Sequence, residues 1–487
     1  MMDPRLRVAK NTAALLILRL VVPLLSMAVV LAVSRLLGTE GLGRYTLAFS
    51  FLYFFNTLAP LGLYTLITRE GARDPVQLEG MLANALTLTT VASLVLTAMM
   101  IGLSFALHYD ADTRSALILV SLAILPCTVG TLLDGAFTAL ERMEFMTITA
   151  GVESLFKVGV GVAVLFFGYG LDAVLIAAVV ARLLACAVSI WLLERTNVRV
   201  RWAMDREIVR SLAREAPTFL LISVFAAIYW RIDILMLSWL CEIEDVGLYG
   251  AAWRLLELAI VVPQSFCQSL YPQMASAIRS EAGTLGWLNR TAGRYLLVLS
   301  VPAAVCTTIL AGPLLALLYG EPFRAAGSTL AVLMWTVVPY GWVRYHAYVL
   351  LAADRQRTAL AFNVLMAVVN VGLDLIFIPA YRYLGAAVAT LISVAFYACA
   401  QQVYLSRHLP GHAAPVRFPP GMITATVAMG VCLWVLRDAP VAVPLALSPL
   451  LYMVTLLASG GLTADELKVL RVDRVLKRFG FNPGNGA

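Results

Sequence analysis

The chain has 487 residues, of which 61% are hydrophobic and only 13% are charged, and its mean hydropathy is +0.85. This composition excludes an ordinary soluble domain, because so few charged side chains would leave too much apolar surface in water. Lipid must therefore surround most of the chain, and in a bilayer only helices or closed barrels satisfy their own backbone groups.

Long apolar runs recur along the whole chain and predict transmembrane helices, because about 20 apolar residues in a helix cross the bilayer core. Strands of a barrel would alternate apolar and polar residues at period two, and these runs do not. The sequence predicts an all-α polytopic membrane protein with about fourteen spans. In chain order they lie near residues 11–34, 45–68, 82–107, 115–140, 147–168, 171–194, 217–240, 246–273, 291–319, 326–351, 358–380, 383–406, 421–437 and 441–458.

An arginine-rich segment, Arg195 to Glu215, separates the first six spans from the rest. Similar sequences follow the first span of each part: Glu40 to Ala48 matches Glu244 to Ala252, with a glutamate, a glycine, a tyrosine and an alanine in register. This repetition predicts a parallel duplication, as alternating-access transporters use. The predicted units are an N-terminal six-helix lobe (1–205), a related C-terminal lobe (206–410), and two further helices with a basic tail (411–487).

Lys and Arg are distributed unequally between alternate loops, with 24 on the side of both termini and 6 on the other. Cytoplasmic loops collect these residues, so both termini are predicted to be cytoplasmic in a multi-pass inner-membrane protein. The net charge of +7 thus indicates topology, and nucleic acid is not expected as a partner.

Motifs for enzymatic chemistry are weak or missing. The seven cysteines are scattered singly without a CxxC pair, which supports neither a disulfide framework nor a zinc site. The four histidines are too dispersed in sequence to predict a metal site. Asp110-Ala111-Asp112 fits a DxD pattern, but it falls in a short outer loop and is interpreted as solvated. No GxxxxGK[ST] motif is found, so the chain itself is not expected to use ATP or to be an enzyme.

Charged residues inside the predicted spans require an explanation, because each costs about 2.5–3.5 kcal/mol on insertion scales. Spacing pairs Glu153 with Lys157 and Arg254 with Glu257 on single helices. The full set has six cations and five anions: Arg19, Lys157, Arg182, Arg231, Arg254, Arg344, Asp134, Glu153, Asp233, Glu257 and Asp374.

Four of the anions are candidates for ion coupling: Asp134, Glu153, Asp233 and Asp374. Asp134 and Glu153 lie at similar predicted depths and are expected to share a site with Lys157, where one carboxyl group would carry a proton. Asp374 follows Asn370 by one helical turn, and this pair would either bind a cation or cap a kink. The coupling ion, H⁺ or Na⁺, is left open, and no other cofactor is expected.

Three segments resemble one exporter superfamily. They are SRLLGTEGLGRYTLAFSFLYFFNTLAPLGLYTLITREGAR from Ser34 to Arg73, YWRIDILMLS from Tyr229 to Ser238, and EDVGLYGAAWRLLE from Glu244 to Glu257. They are similar to the multidrug/oligosaccharidyl-lipid/polysaccharide superfamily, and specifically to its bacterial polysaccharide flippases. The resemblance implies two six-helix lobes around a central cavity and export of a polyprenyl-diphosphate-linked glycan to the outer leaflet.

A diphosphate substrate would give the intramembrane cations a use, because arginine forks match phosphate oxygens. Arg19 and Arg231 are predicted to contact the diphosphate with help from Lys157, followed by Arg254 and Arg344. Expected partners are the lipid-linked glycan, membrane lipids, and the polymerase and glycosyltransferases of the same pathway. The alternatives are an ion-coupled drug or metabolite antiporter and a peptidoglycan lipid-precursor flippase. A glycan polymerase or ligase is disfavoured, because every predicted outer loop is short.

Overall fold

The computed structural model describes residues 4–74, 76–196, 198–279, 282–409, 412 and 420–461, and the side chains of residues 4–21, 23, 215, 218, 222, 279 and 282–284 lie outside that description. Within these ranges the regular structure is entirely helical. The α-helices in chain order are α1 (Pro4–Leu58), α2 (Leu63–Arg73), α3 (Leu78–Ala106), α4 (Ala111–Ser121), α5 (Ile124–Ala139), α6 (Met143–Phe166), α7 (Gly170–Glu194), α8 (Arg206–Leu240), α9 (Ile243–Arg279), α10 (Ala282–Tyr319), α11 (Gly327–Trp335), α12 (Val337–Ala352), α13 (Gln356–His408), α14 (Pro420–Val435) and α15 (Ala442–Ala458).

The predicted fold class is confirmed. In the described part of the chain, ten helical stretches are long and apolar enough to cross a membrane, and α14 and α15 are shorter apolar helices. The helix α13 contains two predicted spans. The helix α1 contains the first predicted span and the start of the second, 45–68, which a turn at residues 59–62 divides between α1 and α2. The backbone of α1 leaves helical geometry at Gly38, with φ of 69°, and that of α13 does so at Arg382, with φ of 52°. Each of these long stretches, of 55 and 53 residues, therefore consists of two helices that meet at a kink.

Prolines explain why two other predicted spans are each divided into two helices. Pro126 is the third residue of α5, and Pro339 is the third residue of α12. A proline ring clashes with the carbonyl group four residues earlier, which belongs here to Leu122 and Trp335. The preceding helices end at Ser121 and at Trp335 itself, so each break lies where the proline requires it.

The chain packs as two compact units. The first comprises Met1–Ala251, Leu318–Phe323 and Asn363–Ala389. Its core joins apolar side chains from α2, α3, α5, α7 and α8, all of them buried. Representative members are Leu66, Leu82, Leu133, Phe137, Leu192 and Leu212.

The second unit comprises Ala252–Leu317, Arg324–Phe362 and Thr390–Ala487. One buried cluster includes Tyr345 and Leu405. A second cluster packs α14 and α15 against α10, where the Tyr452 hydroxyl donates to the Val298 carbonyl oxygen at 3.0 Å. The lobe boundaries at residues 205 and 410 remain a prediction.

The orientation of the chain in the membrane can be tested at Thr196, which lies two residues after the end of α7 in the arginine-rich segment. With the native cysteines replaced, a cysteine at Thr196 should resist an impermeant thiol reagent added outside intact cells and react after the cells are opened, because the charge bias places this segment in the cytoplasm. A cysteine at Gly168, between α6 and α7, should show the opposite pattern. Labelling of the Thr196 position from outside would overturn the predicted orientation.

Candidate functional site

Two aspartates from different helices lie side by side in the first packing unit. Asp233 on α8 and Asp374 on α13 are 2% and 0% exposed. Their carboxyl groups are close enough for the negative charge of one to act on the other. Tyr249 on α9 donates its hydroxyl hydrogen to Asp233 Oδ2 at 2.7 Å. Both aspartates were predicted as ion-coupling candidates without being paired, and the fold brings them together.

Asn370 lies one turn before Asp374 on α13 and is 1% exposed. Among the described residues, neither polar side-chain atom of Asn370 and neither carboxyl oxygen of Asp374 has a hydrogen-bond partner. Asn370 therefore caps no backbone group, and the break in α13 lies at Arg382 instead. Of the two alternatives for Asn370 and Asp374, these contacts do not support capping of a kink, and cation binding stays a prediction.

We call Asp233, Tyr249, Asn370 and Asp374 the acidic cluster. Two buried carboxyl groups this close are not both ionised unless a cation lies between them, because like charges repel and ions are costly to bury. The cluster can hold a shared proton, or a small cation ligated by carboxylate and amide oxygens, which are the ligands that hard cations prefer.

A cavity of about 120 Å³ lies among α5, α6 and α7, also in the first unit, and is referred to below as the α5–α7 cavity. Asp134, Glu153 and Arg182 contribute its charged lining. Arg182 Nη1 lies 2.8 Å from Glu153 Oε2. Asp134 and Glu153 thus share a site, as the sequence predicts, but its cation is Arg182, whereas the Lys157 ammonium group lies 3.5 Å from the Ser26 hydroxyl oxygen.

The proposed diphosphate contacts of the first unit occupy different surroundings. The Arg231 guanidinium lies 5.5 Å from the ring centroid of Tyr53, a cation–π contact. Lys157 lies on α6 beside Ser26. Arg19 is on α1, and its side chain lies outside the described residues.

The two reserve cations belong to the second unit. Arg254 Nη1 lies 2.7 Å from Glu257 Oε2, which confirms the pair expected from their spacing. The Trp253 indole N–H also donates to Glu257, at 3.1 Å. Arg344 lies 5.5 Å from the ring centroid of Tyr348. Arg254 thus has its charge neutralised locally.

The two repeated segments cross each other at glycines. A Cβ atom added to Gly43 would collide with the Ile243 carbonyl oxygen, and one added to Gly247 would collide with the Thr39 carbonyl oxygen. Gly43 corresponds to Gly247 in the repeat, and Thr39 corresponds to Ile243. The contacts are therefore reciprocal, which is the mark of a two-fold relation between equivalent segments. This crossing supports the duplication inferred from the sequence.

Each of the two repeated segments also forms ion pairs close to its glycine. Arg44 pairs with Glu40 at 2.6 Å and with Asp110 and Asp112 at 3.0 Å each. The DxD aspartates are thus exposed partners of one arginine, consistent with their interpretation as a solvated loop. On the other segment, Arg382 contacts Asp245 at 2.7 Å.

Two of the four histidines that are dispersed in the sequence lie close together in the fold. His346 and His412 are both buried in the second unit, with ring centroids 5.3 Å apart, although they are far apart in the chain. His346 Nε2 lies 2.9 Å from Gln402 Oε1. Burial lowers the pKa of His412 to about 4, so this ring is neutral at neutral pH. Within the described ranges, no group of three or more His, Cys, Asp and Glu side chains forms a candidate metal site.

Comparison with known proteins gives consistent matches. Residues 8–278 match the family model described as polysaccharide biosynthesis protein. The chain is 24% identical over 266 residues to the probable flippase AglR of Haloferax volcanii, covering 53% of this chain and 54% of AglR. It is 22% identical over 198 residues to the probable low-salt glycan biosynthesis flippase Agl15 of the same organism, covering 40% of this chain and 42% of Agl15. The chain thus spans about half the length of the curated relatives it matches.

Solved membrane transporters share the fold over most of their length. The lipid II flippase MurJ, in an inward closed conformation, superposes with a TM-score of 0.73 at 13% identity, covering 92% of this chain and 98% of MurJ. An inward-facing multidrug resistance MATE transporter of the MOP superfamily gives a TM-score of 0.64 at 17% identity, covering 82% and 98%. At these identities the likeness establishes the fold.

Proposed function

Because the chain belongs to the polysaccharide biosynthesis protein family of the multidrug/oligosaccharidyl-lipid/polysaccharide superfamily, we propose that it is a flippase for a polyprenyl-diphosphate-linked oligosaccharide. It acts in the cytoplasmic membrane, with both termini in the cytoplasm, and serves the synthesis of a surface polysaccharide such as O-antigen, exopolysaccharide or capsule. It moves its substrate without changing it chemically. Glycosyltransferases supply the lipid-linked glycan, and a polymerase consumes it.

The observation that carries this proposal is the reciprocal crossing at Gly43 and Gly247. Two equivalent segments that meet about a two-fold axis form a contact that can be made in one state and broken in another, as alternating access requires. The two curated relatives, both described as probable flippases, support the substrate class.

The acidic cluster supplies the coupling ion in this proposal. Binding of a proton or Na⁺ between Asp233 and Asp374 removes the repulsion of two buried carboxylates and occupies the unpartnered atoms of Asn370 and Asp374. Because Asp233, Tyr249 and Asp374 lie on three different helices, occupancy changes how α8, α9 and α13 pack. A downhill ion gradient can in this way favour one conformation of the protein over another.

The diphosphate contacts are assigned to Arg19, Arg231 and Lys157, followed by Arg254 and Arg344. Of these, Arg231 has the clearest support: its surroundings include an aromatic ring, that of Tyr53, which is 40% exposed and able to contact a sugar. Arg254 is the weakest member, since Glu257 already pairs with it.

Arg231→Ala should lower export of the lipid-linked glycan about 10- to 100-fold, because a hydrogen bond to a charged group contributes roughly 1.5–3 kcal/mol. Arg231→Lys should restore export in part, since it keeps the charge and loses the guanidinium fork. The assay is surface polysaccharide together with inner-leaflet lipid-linked glycan, in cells lacking their own copy of the gene. Arg210→Ala, an exposed arginine on the same helix, is the matched control.

Two results would contradict this assignment. Normal export by Arg231→Ala would move phosphate recognition to other residues. Normal surface glycan in cells without the protein, combined with greater sensitivity to cationic drugs, would favour the drug-antiporter alternative over the flippase.

A further inference from the structure

The lining of the α5–α7 cavity has two acidic side chains and one basic side chain. The Arg182 guanidinium and the Glu153 carboxylate pair at 2.8 Å, and their charges cancel. Asp134 then adds one further carboxyl group. Among the residues that the structure describes, none forms an ion pair with this carboxyl group or donates a hydrogen bond to it.

The charged and titratable groups that face Asp134 come from three helices. Glu153 on α6 and Arg182 on α7 act on it directly. Cys127 on its own helix and Cys186 on α7 lie in the same electrostatic neighbourhood, where Lys157 on α6 acts on Cys127. Lys157 contacts Ser26, so Arg182 is the cation that lines the cavity.

The hydroxyl groups in the lining show which form of Asp134 they can stabilise. Thr131 donates its hydroxyl hydrogen to the Cys127 carbonyl oxygen at 2.9 Å, and Thr149 donates to the Met146 carbonyl oxygen at 3.0 Å. A hydroxyl group has one hydrogen, so these two offer the cavity only acceptor lone pairs. A protonated carboxyl group needs such an acceptor. Thr131 and Thr149 can therefore accept a hydrogen bond from protonated Asp134, while the Arg182 guanidinium, a donor, is paired with Glu153.

We propose that Asp134, Glu153 and Arg182 form a second proton-carrying site, separate from the acidic cluster. In the observed arrangement Arg182 neutralises Glu153, and Asp134 holds the proton. When the guanidinium turns to Asp134, that carboxyl group releases its proton to cavity water, and Glu153, now without its partner, takes one up. The site thus always contains one guanidinium, one carboxylate and one proton, and it remains neutral in the membrane.

A proton suits this site better than a metal ion. A bound metal cation would lie next to the Arg182 guanidinium and be repelled by it, whereas a proton on Asp134 adds no charge to a site that is already balanced. The charges and hydrogen bonds of this site all belong to the first unit, so they are independent of the identity of the transported glycan.

Infrared difference spectroscopy of the purified full-length protein in lipid tests the proposal. At neutral pH, subtraction of the Asp134→Asn spectrum from that of the unmodified protein should reveal the carbonyl band of a protonated carboxyl group. The Glu153→Gln subtraction should reveal carboxylate bands. Asp172→Asn, at an exposed position on α7, is the control and should remove carboxylate bands only.

Loss of carboxylate bands on Asp134→Asn would overturn the proposal. If that variant does not fold, Thr131→Val replaces it: removal of the acceptor should shift the carbonyl band of protonated Asp134, and an unshifted spectrum also counts against the site. The band must persist in Asp374→Asn, which separates this proton from any proton in the acidic cluster. A failure of the proposed flippase function would leave these spectra unchanged.

Discussion

We expect Asp374→Asn to abolish glycan export while the protein stays folded in the membrane. Asparagine has nearly the shape of aspartate but no charge, so the repulsion with Asp233 disappears together with the ability to bind a proton or a cation. Removal of a buried charge should leave thermal stability unchanged or raise it, because burying an ion costs several kcal/mol. Loss of export with retained stability would separate coupling from folding.

The same variant identifies the coupling ion. A cation at 100 times its Kd stabilises the folded state by about 2.7 kcal/mol, so the unfolding temperature of the unmodified protein should rise when NaCl replaces choline chloride if Na⁺ is bound. If a proton is bound instead, the temperature should change with pH and not with Na⁺. Asp374→Asn should remove whichever response is seen, and Asp172→Asn should keep it. A protein that responds to neither ion would show that the acidic cluster is structural.

Much of the fold was accessible from composition and from the period of the apolar runs. A run of about 20 apolar residues has few alternatives to a membrane helix, and within the described residues every predicted span lies mostly on helix, with turns inside 45–68, 115–140 and 326–351. The helix breaks were less accessible. Pro126 and Pro339 signal a break, but the kinks at Gly38 and Arg382 are not marked by a proline at the position itself.

The sequence identified the charged residues of the candidate sites, but it predicted only some of the contacts between them. Spacing on one helix gave Arg254 with Glu257 correctly, because neighbours at i,i+3 face each other on any helix. The same rule suggested Lys157 for Glu153, yet the ion pair seen at 2.8 Å is between Glu153 and Arg182 from the neighbouring helix α7. Contacts between helices depend on helix rotation and crossing, which the apolar pattern of a lipid-surrounded helix specifies poorly.

For Tyr249, the sequence shows that the residue belongs to a repeat but does not show which residue it contacts. The tyrosine recurs in both repeated segments, at Tyr45 and Tyr249, which marks it as part of a duplicated element. Its hydrogen bond to Asp233 was not predictable, because it requires the turn between α8 and α9 to fold one helix back along the other. The pairing of Asp233 with Asp374 requires, in addition, that α13 packs against both.

The Gly43–Gly247 crossing leads to the other large expected effect. Gly247→Ala should reduce export by about 10- to 100-fold, because the new Cβ atom collides with backbone and not with a flexible side chain, and overpacking typically costs about 1–3 kcal/mol. Gly43→Ala should have a similar effect, since its contact with Ile243 is the reciprocal one. Gly159→Ala on α6, where no atom lies within 4 Å of the added Cβ, is the control and should export normally.

The crossing is expected to form in one transport state and to open in the other, so the glycine variants should shift the population and not unfold the protein. A cysteine at Thr46, next to Gly250 in the crossing, reports this shift. In a background without the native cysteines, its labelling by an impermeant thiol reagent should increase in Gly247→Ala and stay low in Gly159→Ala. The double variant Gly43→Ala/Gly247→Ala should cost less than the two single changes added together, because one separation of the helices relieves both collisions. Additive losses, or lost export with unchanged labelling, would mean that the crossing is a fixed packing contact in every state.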